Sequence, residues 1–156
     1  MYIENIGNHL KMHEIKPSYQ RMKIFEYLLD NKTHPTVDEI YKALSPEIPT
    51  LSKTTVYNTL NLFMEKKIAR VIIIEENETR YDVDMGEHAH FKCESCKKVF
   101  DIPFQIENLD IEGLKDFKIN EYHIYFKGIC PTCLNKWYKL TENLGGSHEK
   151  IWYFKS

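Results

Sequence analysis

The chain has 156 residues, 42% hydrophobic and 13% aromatic, enough apolar material for one domain or two small ones and too much for a disordered chain. Its 21 basic and 23 acidic residues give a net charge of −2, which excludes a polycationic or polyanionic tail but allows a basic face on one element. The longest aliphatic run, Val71-Ile72-Ile73-Ile74, falls far short of a membrane span. Glu4, His9, Lys11, His13 and Glu14 interrupt the N-terminal apolar residues, so no secretory signal is expected and the cytoplasm is the expected compartment.

The N-terminal half is punctuated as short helices. A first segment, about Ile3 to Met12, ends before Lys16-Pro17. Ser18 can cap a second helix reaching about Asn31, with Met22, Phe25, Leu28 and Leu29 on one side. Thr36-Val37-Asp38-Glu39 is a capping-box pattern and opens a helix carrying Val37, Ile40, Tyr41 and Leu44, which stops at Ser45-Pro46. Ser52 can cap a further helix with Val56, Leu60, Phe63 and Met64 inward; Lys53, Thr54, Tyr57, Asn58 and Asn61 lie on its other face. Strands are expected over Ala69 to Glu75 and Thr79 to Val83, joined by a turn at Glu76-Asn77. Helices followed by such a hairpin make a winged helix.

Asp84-Met85-Gly86-Glu87 reads as the hinge, so residues 1–83 are expected to form one domain and residues 88–140 a second. In the second, 88–104 and 117–129 read as strands, Leu109 to Asp116 as a short helix between them, and Trp137, Tyr138 and Leu140 as a final helix after the second cysteine pair. Residues 141–156 form a C-terminal extension whose role the pattern does not define. The fold class expected is α+β, a winged-helix domain followed by an α/β domain.

Thiols of a cytoplasmic chain stay reduced, so a cysteine pattern there points to metal or redox chemistry before disulfides. Cys93-Glu94-Ser95-Cys96 and Cys130-Pro131-Thr132-Cys133 are two CxxC turns. Each presents two thiolates to one side of a metal, and together they complete a tetrahedron that selects zinc and leaves no open position. Such a zinc is structural. His88-Ala89-His90 differs: alternate strand residues share a face, so both imidazoles point the same way. Asp82 and Asp101 can add carboxylate oxygens, and His34 stands in a loop between helices. Three imidazoles and two carboxylates suit Fe(II), Mn(II) or Zn(II). Each of the five is equally readable as an ordinary surface group, and the residues alone leave both readings open.

Several stretches resemble one known family. "HPT" between helices, "SKTTVYNTLNLF" as third core helix, "TRYDV" in the wing, then "HAHFKCESCKKVFD" and "GICPTC" look like the ferric uptake regulator family of bacterial metal-dependent repressors. The likeness runs from about Lys16 to Trp137. It implies a homodimer that binds a palindromic operator in double-stranded DNA when metal is loaded, dimerising through the C-terminal domain. It also implies structural zinc on Cys93, Cys96, Cys130 and Cys133, and regulatory Fe(II) or Mn(II) on His34, Asp82, His88, His90 and Asp101. Asp101, where iron sensors carry Glu, and Asn58, where they commonly carry Arg, resemble the peroxide-sensing branch, whose expected oxidation targets fall on His34 and His88. Members with a further metal site carry a histidine before the H-x-H and an acid within it. Glu87 and Ala89 stand there, and Tyr122 replaces another expected histidine, which argues against a third site.

On DNA, Tyr57 could meet a thymine methyl and Asn58 or Asn61 a base edge, while Thr54 shares their face. Lys16, Arg21, Lys53, Lys66, Lys67 and Arg70 could hold the phosphate backbone. Within the family the alternative is an iron- or zinc-responsive uptake repressor. From other classes, the rivals are a thiol redox switch and a metal-dependent enzyme. The enzyme reading lacks a nucleophile–base pair and a glycine-rich phosphate loop.

Overall fold

A computed structural model describes residues 5–75, 78–105, 112–114, 116–120 and 122–142. The expected turn at Glu76-Asn77, the first residues of the expected opening helix, half of the expected 109–116 helix and residues 143–156 of the extension lie outside them.

Helix α1 spans Ile6–Met12, α2 Tyr19–Asp30, α3 Val37–Leu44 and α4 Lys53–Glu65. Their starts are local chemistry. Asn5, Ser18, Thr36 and Ser52 are each extended and accept a backbone N–H from the first turn. At α3 the box closes both ways: Glu39 N–H donates to Thr36 Oγ1 at 3.2 Å and Thr36 N–H to Glu39 Oε2 at 2.7 Å. The helices bury one shared core, including Ile24, Phe25, Ile40, Val56, Leu60 and Phe63, with Phe25 and Phe63 edge-to-face at 5.4 Å. Met22, Leu29 and Met64 pack at its margin.

Strands β1 (Arg70–Glu75) and β2 (Glu78–Asp82) form an antiparallel hairpin, the wing, whose register sets Arg70 opposite Asp82 and Val71 opposite Tyr81. Tyr81 and Val83 reach back into the helical core. The rest builds on a second sheet of order β4-β3-β5, from β3 (His88–Cys93), β4 (Val99–Pro103) and β5 (Tyr125–Gly128). β3 runs antiparallel to β4, with His90 facing Asp101, and parallel to β5. Helix α5 covers Pro131–Glu142.

Two expectations change here. Among the described residues, 117–120 and 122–124 are not strand; the ladder to β3 runs along β5, with the His90 N–H to Ile124 carbonyl bond beside it. Their alternation of apolar and polar residues fits a strand, but a strand exists only where a partner supplies hydrogen bonds. The last helix also begins earlier than expected. Pro131, lacking an N–H and fixed near helical φ, starts it, so Cys133 sits in its first turn. Of the expected 109–116 helix, the described residues show a 3-10 turn at Glu112–Leu114.

Candidate metal centres and nucleic-acid surface

The four cysteines converge, one donor atom of each lying within 4.8 Å of the others. Cys93 and Cys96 flank the knuckle between β3 and β4, which Lys97 closes in the left-handed region at φ 61°. Cys130 and Cys133 approach from the start of α5. All four are free thiols, with Cys96 and Cys130 sulfurs 3.8 Å apart. That spacing is the edge of a tetrahedron with bonds of about 2.3 Å, the zinc–sulfur length, and far exceeds the roughly 2.05 Å of a disulfide. Burial raises the Cys93 thiol pKa, but backbone N–H groups of Cys96, Cys130 and Ser95 and the Cys96 side chain outweigh it and bring it down to about 6. At Cys133 the Ser95 hydroxyl lowers the pKa, yet the neighbouring sulfurs and burial together push it up to about 11. Packed sulfurs resist ionising together, and a bound cation removes that conflict. The donor set fits zinc.

The second cluster draws on four chain segments. His34 comes from the loop before α3, Asp82 from the end of β2, His88 and His90 from β3, and Asp101 from β4. Donor atoms of His34, Asp82, His88 and His90 lie within 4.8 Å of one another. Asp101 Oδ1 lies 2.8, 3.6 and 3.9 Å from the Nε2 atoms of His34, His88 and His90. His88 Nε2 is 3.1 Å from Asp82 Oδ2, and His90 Nε2 is 3.8 Å from it. The His34 and His90 rings meet edge-on at 4.9 Å, as do His88 and His90 at 4.7 Å.

Four buried polar atoms here have no hydrogen-bond partner: His34 Nδ1, His90 Nε2, Asp101 Oδ1 and Arg80 Nε. His34 Nε2 is close to Asp101 Oδ1, but the alignment is not that of a hydrogen bond. An unsatisfied buried acceptor costs on the order of 1–3 kcal/mol, so the orphaned atoms of His90 and Asp101, which face each other across this cluster, call for a cation. Burial raises the Asp82 pKa, but His90, the Asp84 N–H, His34 and Arg70 outweigh it and hold the carboxyl well below the usual carboxylate range. Asp101 is likewise lowered, with burial opposed by His34 and His88. Both remain anionic at neutral pH, so nitrogen and oxygen donors stand ready and Fe(II) or Mn(II) fits. A cavity of about 20 Å³, room for about one water-sized molecule, is lined by His34, Asp82 and Asp101 among others.

Cations expected on the DNA face divide. Arg70 turns inward: its Nε donates to Asp82 Oδ2 at 2.9 Å, and its Nη2 reaches the His88 ring at 2.9–3.0 Å and the Gly86 carbonyl at 3.1 Å. Arg70 therefore pairs with the histidine–carboxylate cluster, a correction that follows from its place opposite Asp82. Lys66 pairs with Glu14 at 2.7 Å and Lys53 with Asp38 at 2.8 Å, both at the surface. Arg21 donates to the Lys16 carbonyl at 2.7 Å. On α4, Lys53, Thr54, Tyr57 and Asn58 are exposed, Tyr57 by 52%, and Asn61 is half-buried. Asn58 and Arg21 line one hollow between α4 and the start of α2.

Three charged residues absent from the sequence-based site also border the second cluster. Arg80 donates to the His34 carbonyl at 2.9 Å and to Glu78 at 2.7 Å, and Lys92 donates to Glu78 at 2.7 Å. For Lys92 a signal existed, its place two residues beyond His90 on the same strand face. Among the described residues, no helix is long and apolar enough to cross a membrane.

Fold and clusters define a winged-helix protein with two sets of metal-ligand residues. The sequence model of the Ferric uptake regulator family matches residues 12–127, so the chain belongs to that family. It is 34% identical over 131 residues to the peroxide-responsive repressor PerR of Staphylococcus aureus, covering 81% of this chain and 88% of that one. The Campylobacter jejuni peroxide stress regulator structure matches with 28% identity and TM-score 0.63, over 83% of this chain and 99% of that one. The Helicobacter pylori ferric uptake regulator Fur, whose structure is described as revealing three functional metal binding sites, shares the fold at TM-score 0.67 and 24% identity, over 81% of this chain and 87% of that one.

Proposed function

We propose that this protein is a metal-dependent transcriptional repressor that binds its operator as a homodimer and releases it when peroxide oxidises His34 or His88. The observation that carries this is the convergence of three imidazoles and two carboxylates from both sides of the Asp84–Glu87 hinge. In this reading, Cys93, Cys96, Cys130 and Cys133 hold structural zinc, and His34, Asp82, His88, His90 and Asp101 hold regulatory Fe(II) or Mn(II). Residues 1–83 are the DNA-binding domain, and 88–140 hold the partner copy.

Exposed Tyr57, Asn58 and Thr54 on α4 supply a face for the major groove, with Lys53, Arg21 and Asn61 beside it. Phe117, Ile119, Phe126, Ile129 and Trp137 leave apolar surface uncovered in the C-terminal half, a surface a second copy would bury. Binding DNA places its work in the cytoplasm, as a regulator and not an enzyme.

A bound ferrous ion would supply redox activation of peroxide, the two electrons that peroxide takes up coming in net from the imidazole. This chain's residues do the rest. Asp101 is one methylene shorter than glutamate, and a small cavity lies beside it. His34 and His88 are the imidazoles beside Asp101 at 2.8 and 3.6 Å. Overall, one peroxide yields one water and one oxygen added to an imidazole. An oxidised imidazole is a poorer ligand, so the halves lose a shared attachment. The test is mass spectrometry of tryptic peptides after low-dose peroxide on Fe(II)- and Mn(II)-loaded protein. One added oxygen on His34 or His88, with iron only, is expected. Oxidation confined to cysteines, or equal with both metals, would leave a metal-responsive repressor without peroxide sensing.

A further inference from the structure

Strand β3 alternates, so His88, His90 and Lys92 share one face. The two imidazoles enter the histidine–carboxylate cluster. Lys92 does something else. It is 2% exposed, and an ammonium so deeply buried is costly unless paired. Its Nζ donates to Glu78 Oε2 at 2.7 Å. The other Glu78 oxygen accepts from Arg80 Nη2 at 2.7 Å. Arg80, itself 8% exposed, donates through Nη1 to the His34 carbonyl at 2.9 Å, with the Thr33 carbonyl and Glu39 Oε2 each at 3.4 Å. One carboxylate thus bridges a cation from the C-terminal sheet and a cation that grips the His34 loop.

That loop needs gripping. His34 has φ 52°, in the left-handed region, immediately before Pro35. Such a conformation costs a non-glycine residue roughly 1–2 kcal/mol and persists where surroundings enforce it. The Tyr81 N–H holds the Pro35 carbonyl at 3.2 Å, the capping box fixes Thr36, and Arg80 fixes the His34 carbonyl. Of these three, the Arg80 contact alone continues through Glu78 into β3.

We infer that Lys92, Glu78 and Arg80 form a second tie between the two halves of the chain, made of permanent charges and independent of metal, which positions His34 for the regulatory ion. Lys92 and Glu78 are positioning residues: each acts on the metal through Arg80 and the His34 backbone. The inference rests on the reading of His34, Asp82, His88, His90 and Asp101 as the regulatory site. It adds that the site is preset before metal arrives, by a salt-bridge chain at the end of β3 remote from the hinge.

The test uses full-length, zinc-loaded protein with Lys92→Met or Glu78→Gln. Mn(II) affinity is measured by competition with a fluorescent chelator, and amide hydrogen exchange around residues 31–37 is followed without Mn(II). Both variants are expected to keep their zinc and bind Mn(II) about tenfold or more weakly, as loss of a group supporting a ligand does. Both should also exchange faster at that loop. Lys92→Met is decisive because it removes no contact within the N-terminal half. If it matches wild type within twofold in affinity and in exchange, the tie is refuted, even where Glu78→Gln weakens binding through Arg80 alone. Should Lys92→Met shed zinc, Glu78→Gln decides by the same two measurements. His90→Ala is the control for the metal reading: it should keep its zinc and abolish Mn(II) binding. If wild type shows no Mn(II) site that depends on His90, the metal reading fails, and the exchange rates alone decide the tie.

Discussion

Cys93→Ser tests the thiolate cage most directly. The Cys93 sulfur is buried and accepts backbone N–H bonds from Cys96 at 3.5 Å and Cys130 at 3.3 Å. It therefore organises both turns as well as donating to the ion. A structural zinc contributes on the order of 10–16 kcal/mol of coupled binding and folding, so a quarter share is about 2.5–4 kcal/mol. The hydroxyl that replaces the thiol is not ionised at neutral pH and replaces neither the charge nor the soft donor. Zinc affinity should fall at least about 100-fold. The knuckle and the start of α5 would then lose their common anchor, and the apolar surface around Phe126 and Trp137 its support, so the dimer should dissociate. Chelator competition and analytical ultracentrifugation measure the two effects. A variant holding zinc within tenfold of wild type, or a stable zinc-free wild-type dimer, would refute the reasoning.

Asn58→Ala should weaken operator binding by about 1–3 kcal/mol in a fluorescence-anisotropy titration while sparing random DNA, since a base-edge contact specifies and does not merely position. Equal loss on both would reassign Asn58 to the backbone. His90→Ala should remove the metal dependence of operator affinity; titrations with and without Mn(II) that still diverge would misplace the site. Arg70→Met should tighten Mn(II) binding about tenfold, because the guanidinium holds Asp82 Oδ2 and His88 at about 2.9 Å, atoms a divalent ion also needs. Weaker binding would mean that Arg70 orients Asp82 for the metal instead of competing with it.

What could be read from sequence was what depends on near neighbours. Ser18, Thr36 and Ser52 start their helices with a side chain and an N–H three residues on, a relation visible in any window of four. The CxxC turns are equally local, and α4 shows its two faces through a period of 3.6. Failures came where partners lie far apart. Alternating residues near 117–124 suit a strand, but among the described residues the ladder to β3 runs along β5, with one bond at Ile124. Arg70 looked like a surface cation until the hairpin register set it against Asp82, twelve residues away. Lys92 shares a face with His88 and His90 by simple alternation, yet its meaning depends on Glu78 lying across from it. Burial of a charge is a fact about the partner as much as about the residue.

Two kinds of attachment between the halves suggest a division of labour. In the proposed reading the Asp84–Glu87 hinge is one tether and Lys92–Glu78 another, at the opposite end of β3. Two bodies joined at two points can still rotate about the line through them. Ligands arriving from β2, β3, β4 and the loop before α3 would brace that rotation, which a further salt bridge along β3 could not do. Under this reading the ion controls one remaining degree of freedom instead of assembling the molecule. The energetics favour such an arrangement. Apparent affinity equals intrinsic affinity multiplied by the fraction of molecules already in the binding-competent geometry. A preset His34 raises that fraction, so a weakly held ion such as Mn(II) or Fe(II) can load while its binding free energy biases the spacing of the two recognition helices. By reciprocity, operator DNA must tighten the ion by the same factor, typically about 5–150-fold. The factor should shrink in Arg80→Met, whose loop is no longer tied through Glu78 to β3. Mn(II) titrations with and without operator read this directly. An undiminished coupling in that variant would show that His34 is set by its own loop and not by the tie.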